Sequence, residues 1–173
     1  MVIFLNVLPQ IFGAFALITW LSSVQLKKKS DIFFLQLLAN LFYAIQYFLL
    51  GLTSTGILNL VSASRCYIFG YNVKRNKQTP LYILLVFLFA VLVLALIFSK
   101  SYLDLMPMIA TLLYTIFTWK SSTSSLRYVY VCCGILFGFY NIAVGAYVAL
   151  LGNLGEIISG TVSIIRFRKE GNK

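Results

Sequence analysis

Histidine is missing from this 173-residue chain. No imidazole base, haem ligand or histidine-held zinc is therefore expected. Acids are nearly as scarce, with Asp31, Asp104, Glu156 and Glu170 the whole set. They form no pair at catalytic spacing, no glycine-rich phosphate loop comes after a strand pattern, and the serines have no evident base. No enzyme activity, cofactor or metal is expected. Cys66, Cys132 and Cys133 are odd in number and sit in apolar runs. That argues against a disulfide framework, because such cysteines act as small apolar residues. Charged residues make up 10% of the chain, hydrophobic ones 61%, and the mean hydropathy is +0.93. No ordinary soluble domain has that composition. The N-terminal run has its basic cluster after it rather than before it, unlike a secretory signal peptide.

Long apolar runs dominate the chain instead. Residues 81–98, LYILLVFLFAVLVLALIF, have only Tyr82 as a polar group. As a helix they would just span a hydrocarbon core of about 30 Å, with no polar face to turn toward water. Six more segments read as spans, giving the set 2–24, 32–50, 56–71, 81–98, 105–119, 128–148 and 154–167. The third, fifth and seventh are shorter and more polar.

The basic residues alternate with the loops. Lys27, Lys28 and Lys29 lie after the first span, Lys74, Arg75 and Lys77 after the third, and Lys120 and Arg127 after the fifth. Arg166, Arg168, Lys169 and Lys173 close the chain, whereas the intervening loops are nearly uncharged. By the positive-inside rule the N-terminus is outside and the C-terminus inside. The net charge of +10 then signals topology rather than nucleic-acid binding.

Shifted by about 97 residues, the chain roughly matches itself: Tyr43 falls on Tyr140, Asn59 on Glu156 and Ser62 on Ser159. The expected fold is an all-α integral membrane domain of seven transmembrane helices in two parallel three-helix repeats. Repeat one covers about 2–73, an inverting linker helix about 80–99, and repeat two about 102–168.

The run WLSSVQLKKKSDIFFLQLLANLFYAIQYFLLG, then TGILNLVSASR, and later GNLGEIISGTVSIIRFRK resemble the YgjV-type family of bacterial inner-membrane proteins. The resemblance covers most of the chain. It implies a multi-pass protein of the bacterial inner (cytoplasmic) membrane, and it carries no activity with it. Its layout is similar to the three-one-three plan of SWEET, PQ-loop and PnuC proteins, which suggests transport by analogy of fold. PQ-loop relatives carry Pro-Gln just before the first basic loop, where this chain reads Val24-Gln25. Pro9-Gln10 lies too far upstream to replace it, so a proline-hinged rocking motion is not expected.

Polar residues within spans are costly and usually face a bundle interior or a wet cavity. At 100° per residue they form stripes. Gln36, Asn40, Tyr43 and Tyr47 share one face; Asn6, Gln10 and Gly13 another; Asp104, Thr111, Thr115 and Thr118 a third. Gly134, Phe137, Asn141 and Gly145 align on the sixth span, and Gly152, Glu156, Ser159 and Ser163 on the seventh. Asn59, Ala63, Cys66 and Gly70 make a small-residue seam, and Gly134 and Gly138 a GxxxG pair. The bland reading of each stripe is helix packing. Arg65 and Glu156 fit it less well, because a charge at the helix centre costs about 2.5–3.5 kcal/mol. Arg65 lies about 12 Å from the inner end of its helix, near the limit of reaching lipid phosphate or helix-end carbonyls. Glu156 lies about one turn below the outer surface, as a rim residue or a proton-coupling one.

The leading expectation is a small-solute transporter with a central polar pathway between the repeats. Its substrate-binding residues would be Asn40, Tyr43, Asn59, Arg65, Tyr140, Asn141 and Glu156. The rivals are a non-transporting receptor or sensor and a structural or assembly protein. Expected partners are the lipid bilayer, a small polar solute and, in a homo-oligomer, further copies of the chain; nucleic acid is not among them. With no energy-coupling domain in the sequence, transport would be facilitated or ion-coupled.

The alternation of basic loops makes a direct prediction. In a background lacking native cysteine, single cysteines replacing Lys28, Asn76 and Asn172 should resist membrane-impermeant thiol reagents in intact cells. One replacing Thr53 should react. Labelling at position 76 with protection at 53 would reverse the orientation.

Overall fold

The computed structural model describes residues 2–98, 102–120, 123–143 and 147–171. Among them there are seven α-helices, one 3-10 turn and no strand. The helices are α1 (Val2–Val24), α2 (Lys29–Leu49), α3 (Thr53–Lys74), α4 (Leu81–Phe98), α5 (Leu105–Lys120), α6 (Thr123–Ala143) and α7 (Tyr147–Gly171), with the turn at Tyr102–Asp104. Three have the length and hydropathy of a span by themselves: Val7–Val24, Lys29–Leu49 and Leu81–Phe98. Leu105–Trp119 and Arg127–Ala143 are apolar but shorter. The chain is an all-helical protein of the membrane type.

Two compact units divide the chain, Met1–Thr79 and Pro80–Lys173. In the first, α2 packs against both α1 and α3. In the second, α4 packs on α5, α5 on α6 and α6 on α7. The helix at 81–98 thus belongs to the second unit. It buries Leu84, Phe87 and Val91, spaced to make one narrow stripe. Its other faces carry exposed Leu85, Val86, Phe89 and Leu96, the surface hydrocarbon solvates at no cost. Pro80, just ahead of it, accepts from the amide of Ile83 at 3.1 Å and gives up no helical bond of its own.

Two of the helix ends are closed by the same device. After α2, the Leu52 amide donates to Tyr47 O at 2.9 Å and the Gly51 amide to Phe48 O at 3.0 Å. After α3, Lys77 donates to Asn72 O at 2.9 Å and Asn76 to Val73 O at 3.0 Å. Both are Schellman motifs, which need a left-handed residue at the turn. Gly51 (φ 75) and Asn76 (φ 54) supply it, and each type takes that conformation more readily than other residues. Beyond the second motif, Asn72 Nδ2 donates to Thr79 Oγ1 at 3.2 Å, holding the loop against α3.

The helix boundaries at 2–24 and 81–98 match the sequence pattern closely, but those of the last two helices do not. The pattern predicts the sixth span over 128–148 and the seventh over 154–167, with residues 149–153 between them. Instead α6 starts at Thr123 and ends at Ala143, and α7 starts at Tyr147. Gly152-Asn153 resembles a turn in sequence, but the apolar residues on both sides carry the helix through it. The shift brings Arg127 and Asn153 inside helices.

Candidate functional site

In the second unit, α6 and α7 run antiparallel along a seam that is polar at several levels. Arg127, only 4% exposed, donates from Nε to Ser163 Oγ at 2.8 Å, and Ser163 is fully buried. One helical turn on, Gly160 lies against Tyr130 and Val131; a Cβ there would come within 3.0 Å of Val131 Cγ2. At the next level Gly134 faces Glu156 and Ile157. A Cβ on Gly134 would lie 3.0 Å from Ile157 Cγ1 and 3.5 Å from both Asn153 O and Glu156 Oε2. The missing side chain therefore sets the Glu156 carboxylate directly against the backbone of α6. At the last level Asn141 Nδ2 donates to Asn153 Oδ1 at 2.6 Å. Arg127, Gly134 and Asn141 stand seven residues apart, the spacing that keeps one face of a helix turned to one neighbour.

The buried threonines of α5 are instead satisfied within their own helix. On α5, Thr111, Thr115 and Thr118 are buried. Their hydroxyls donate to Pro107 O at 2.8 Å, Thr111 O at 2.7 Å and Tyr114 O at 2.7 Å. That stripe packs as a neutral surface. Cys133 Sγ donates to Ala110 O at 3.4 Å, and Tyr114 stacks on Tyr130 with ring centroids 5.7 Å apart, joining α5 to α6.

The first unit has a smaller polar cluster between α2 and α3. Gln36, Asn40, Ser62, Arg65 and Cys66 are all buried. Asn40 Nδ2 donates to Gln36 O at 2.6 Å and approaches Cys66 Sγ at 3.9 Å. Arg65 and Cys66 are neighbours in sequence, and both side chains are buried in the cluster. Around the cluster, Phe33 meets Phe69 edge-on at 6.1 Å, and a Cβ on Gly70 would come within 3.0 Å of Phe33 Cβ.

The sequence-derived site residues thus fall into separate groups. Asn40 and Arg65 join the α2–α3 cluster, and Asn141 and Glu156 the α6–α7 seam. Tyr43 is half-buried and stacks on Tyr47 at 6.2 Å. Asn59 is half-buried and donates to Thr55 O of its own helix at 2.8 Å, so its stripe is in part self-satisfied. Tyr140 is half-buried. Arg65 is only 3% exposed, which contradicts the lipid-phosphate reading: the guanidinium turns into the protein. Glu156 is 5% exposed, so the rim reading gives way to a buried carboxylate. Gln10 is exposed, while Gly13 is buried with its Cα in close contact with the Gln46 side chain. Asn6, Asp104 and Gly145 lie outside the residues whose side chains are described.

Sequence reasoning misses Arg127 and Asn153 as site residues because the pattern assigns both to loops, Arg127 as a topological charge. The heptad spacing of Arg127 to Gly134 and Asn141 is the available signal. For Asn153 it is the position three residues before Glu156, on the same helical face.

A family model described as a bacterial inner membrane protein, Imp-YgjV, matches residues 7–171. No curated protein and no solved structure matches the chain.

The seam predicts coupling that loop residues would not show. In a double-mutant cycle of Asn141→Ala and Asn153→Ala, unfolding in lipid or detergent should give a coupling of about 0.6–1.7 kcal/mol. Additive effects would mean that the Asn141–Asn153 bond contributes nothing.

Proposed function

The chain belongs to the Imp-YgjV family of bacterial inner membrane proteins, and we propose that it carries a small polar solute across that membrane. In this reading all seven helices cross the bilayer, with the N-terminus outside and the C-terminus inside. Helices α1–α3 and α5–α7 act as two parallel repeats and α4 restores the orientation between them. The buried polar residues along α6 and α7 line the solute's path, and Glu156 binds a cationic group or a coupling proton.

One observation carries the proposal: a carboxylate only 5% exposed, Glu156, lies against the bare backbone at Gly134. A neutral glutamine would hold the same shape and could also donate, whereas a carboxylate in a span costs several kcal/mol more than a neutral residue. Such residues within membrane helices mark ion or substrate pathways. The packing order adds support, since the middle helix of each triplet, α2 or α6, lies against both its neighbours. A second reading, that polar stripes only hold helices together, is favoured for α5. There each threonine bonds back to its own helix.

Glu156→Gln separates the two readings. In proteoliposomes assayed for proton-linked uptake of a panel of small polar solutes, the variant should insert and melt like the wild type. It should lose the pH dependence of uptake or the binding of cationic solutes. Equal pH-dependent uptake by both proteins would remove Glu156 from the mechanism.

A further inference from the structure

A groove of about 520 Å³ opens between the ends of α2 and α3 that carry the basic residues. It lies wholly within the first unit. Its apolar part is formed by Phe33, Phe34, Leu37, Cys66 and Tyr67, and its mouth by Ser30, Asp31 and Lys74. Along one wall Tyr67 stacks on Tyr71 at 6.4 Å, and the Arg75 guanidinium sits 4.3 Å above the Tyr71 ring. Gly70 also lines the groove and lets Phe33 approach the α3 backbone. From Lys74 to Cys66 the groove runs about 12 Å along the helix by helical rise.

We propose that this groove is a binding site for an anionic phospholipid. One acyl chain lies along Phe34, Leu37 and Tyr67, and the phosphate sits at Lys74. The groove opens on a surface rich in exposed apolar residues, among them Phe34 and Tyr67, so its occupant comes from the bilayer rather than from water. Its mouth joins one of the most basic parts of the chain, Lys27, Lys28, Lys29, Lys74, Arg75 and Lys77 against the single acid Asp31. Basic pockets between helices at the cytoplasmic face recognise anionic headgroups by this complementarity. Asp31 is exposed and accepts from Ser30 Oγ at 3.1 Å. It opposes the phosphate, so neutralising it should strengthen the site. The proposal requires membrane insertion but no transport.

The test uses the full chain with Trp20→Phe and Trp119→Phe, so that Tyr67→Trp provides one fluorophore at the groove. A matched protein carries Phe89→Trp instead, on the exposed face of α4. Each is reconstituted in phosphatidylcholine vesicles containing a minor fraction of brominated phosphatidylglycerol, phosphatidylethanolamine or phosphatidylcholine. Quenching at position 67 should favour brominated phosphatidylglycerol over the other two, with no such preference at position 89. Lys74→Gln should reduce the preference about fivefold, the effect of one lysine at a charged membrane surface. Asp31→Asn should raise it. A preference at 67 no greater than at 89, or one favouring phosphatidylethanolamine, would overturn the proposal. So would a preference that Lys74→Gln leaves unchanged or Asp31→Asn lowers.

Discussion

Within hydrocarbon a polar group must find its partner inside the protein, because no water is there to replace it. The second unit meets this requirement in two ways. On α5 the threonines turn back onto their own helix and leave a neutral stripe. Along α6 and α7 the polar groups reach across, Arg127 to Ser163 and Asn141 to Asn153. That crossing is possible only because Gly134 and Gly160 let the helices come close; a Cβ on either would lie 3.0 Å from a neighbouring side chain. Close approach, rather than hydrophobic burial, sets the register, as expected where lipid competes equally well for apolar surface.

Self-satisfied residues need nothing from another helix or from a solute. Cross-helix groups fix geometry, and the Glu156 carboxylate among them can also exchange a proton or hold a cation. The proposed function therefore rests on the α6–α7 seam rather than on every polar stripe. In the first unit the buried cation is Arg65, in the α2–α3 cluster beside Cys66.

Much of this architecture is legible in the sequence. The run at 81–98 has no polar face and no break, so its ends coincide with those of α4. Lys27 to Lys29 and Lys74 to Lys77 mark helix ends because a charged cluster is excluded from hydrocarbon. Arg65 is harder to read, since helical geometry alone points it away from the Asn59 seam. Its burial depends on which face α2 covers, a tertiary fact. Boundaries near 143–153 are misread because Gly-Asn commonly marks a turn, and a helix passes through it when packing on a neighbour compensates. Arg127 shows the opposite failure. Its charge reads as a loop signal, although a buried partner such as Ser163 lets an arginine sit inside a helix.

The proposed function requires that water and solutes reach the α6–α7 seam during transport. Ser159, half-buried, and Ile158, 63% exposed, are adjacent on α7 but face different ways. Single cysteines can be placed at each in a protein whose Cys66, Cys132 and Cys133 are replaced by serine. Reaction rates with a small hydrophilic thiol reagent in proteoliposomes then compare the two faces. The account predicts that the cysteine at 159 reacts readily while the one at 158, facing lipid, stays inert. If both stay inert from either side of the membrane, the seam is dry and the transport reading fails.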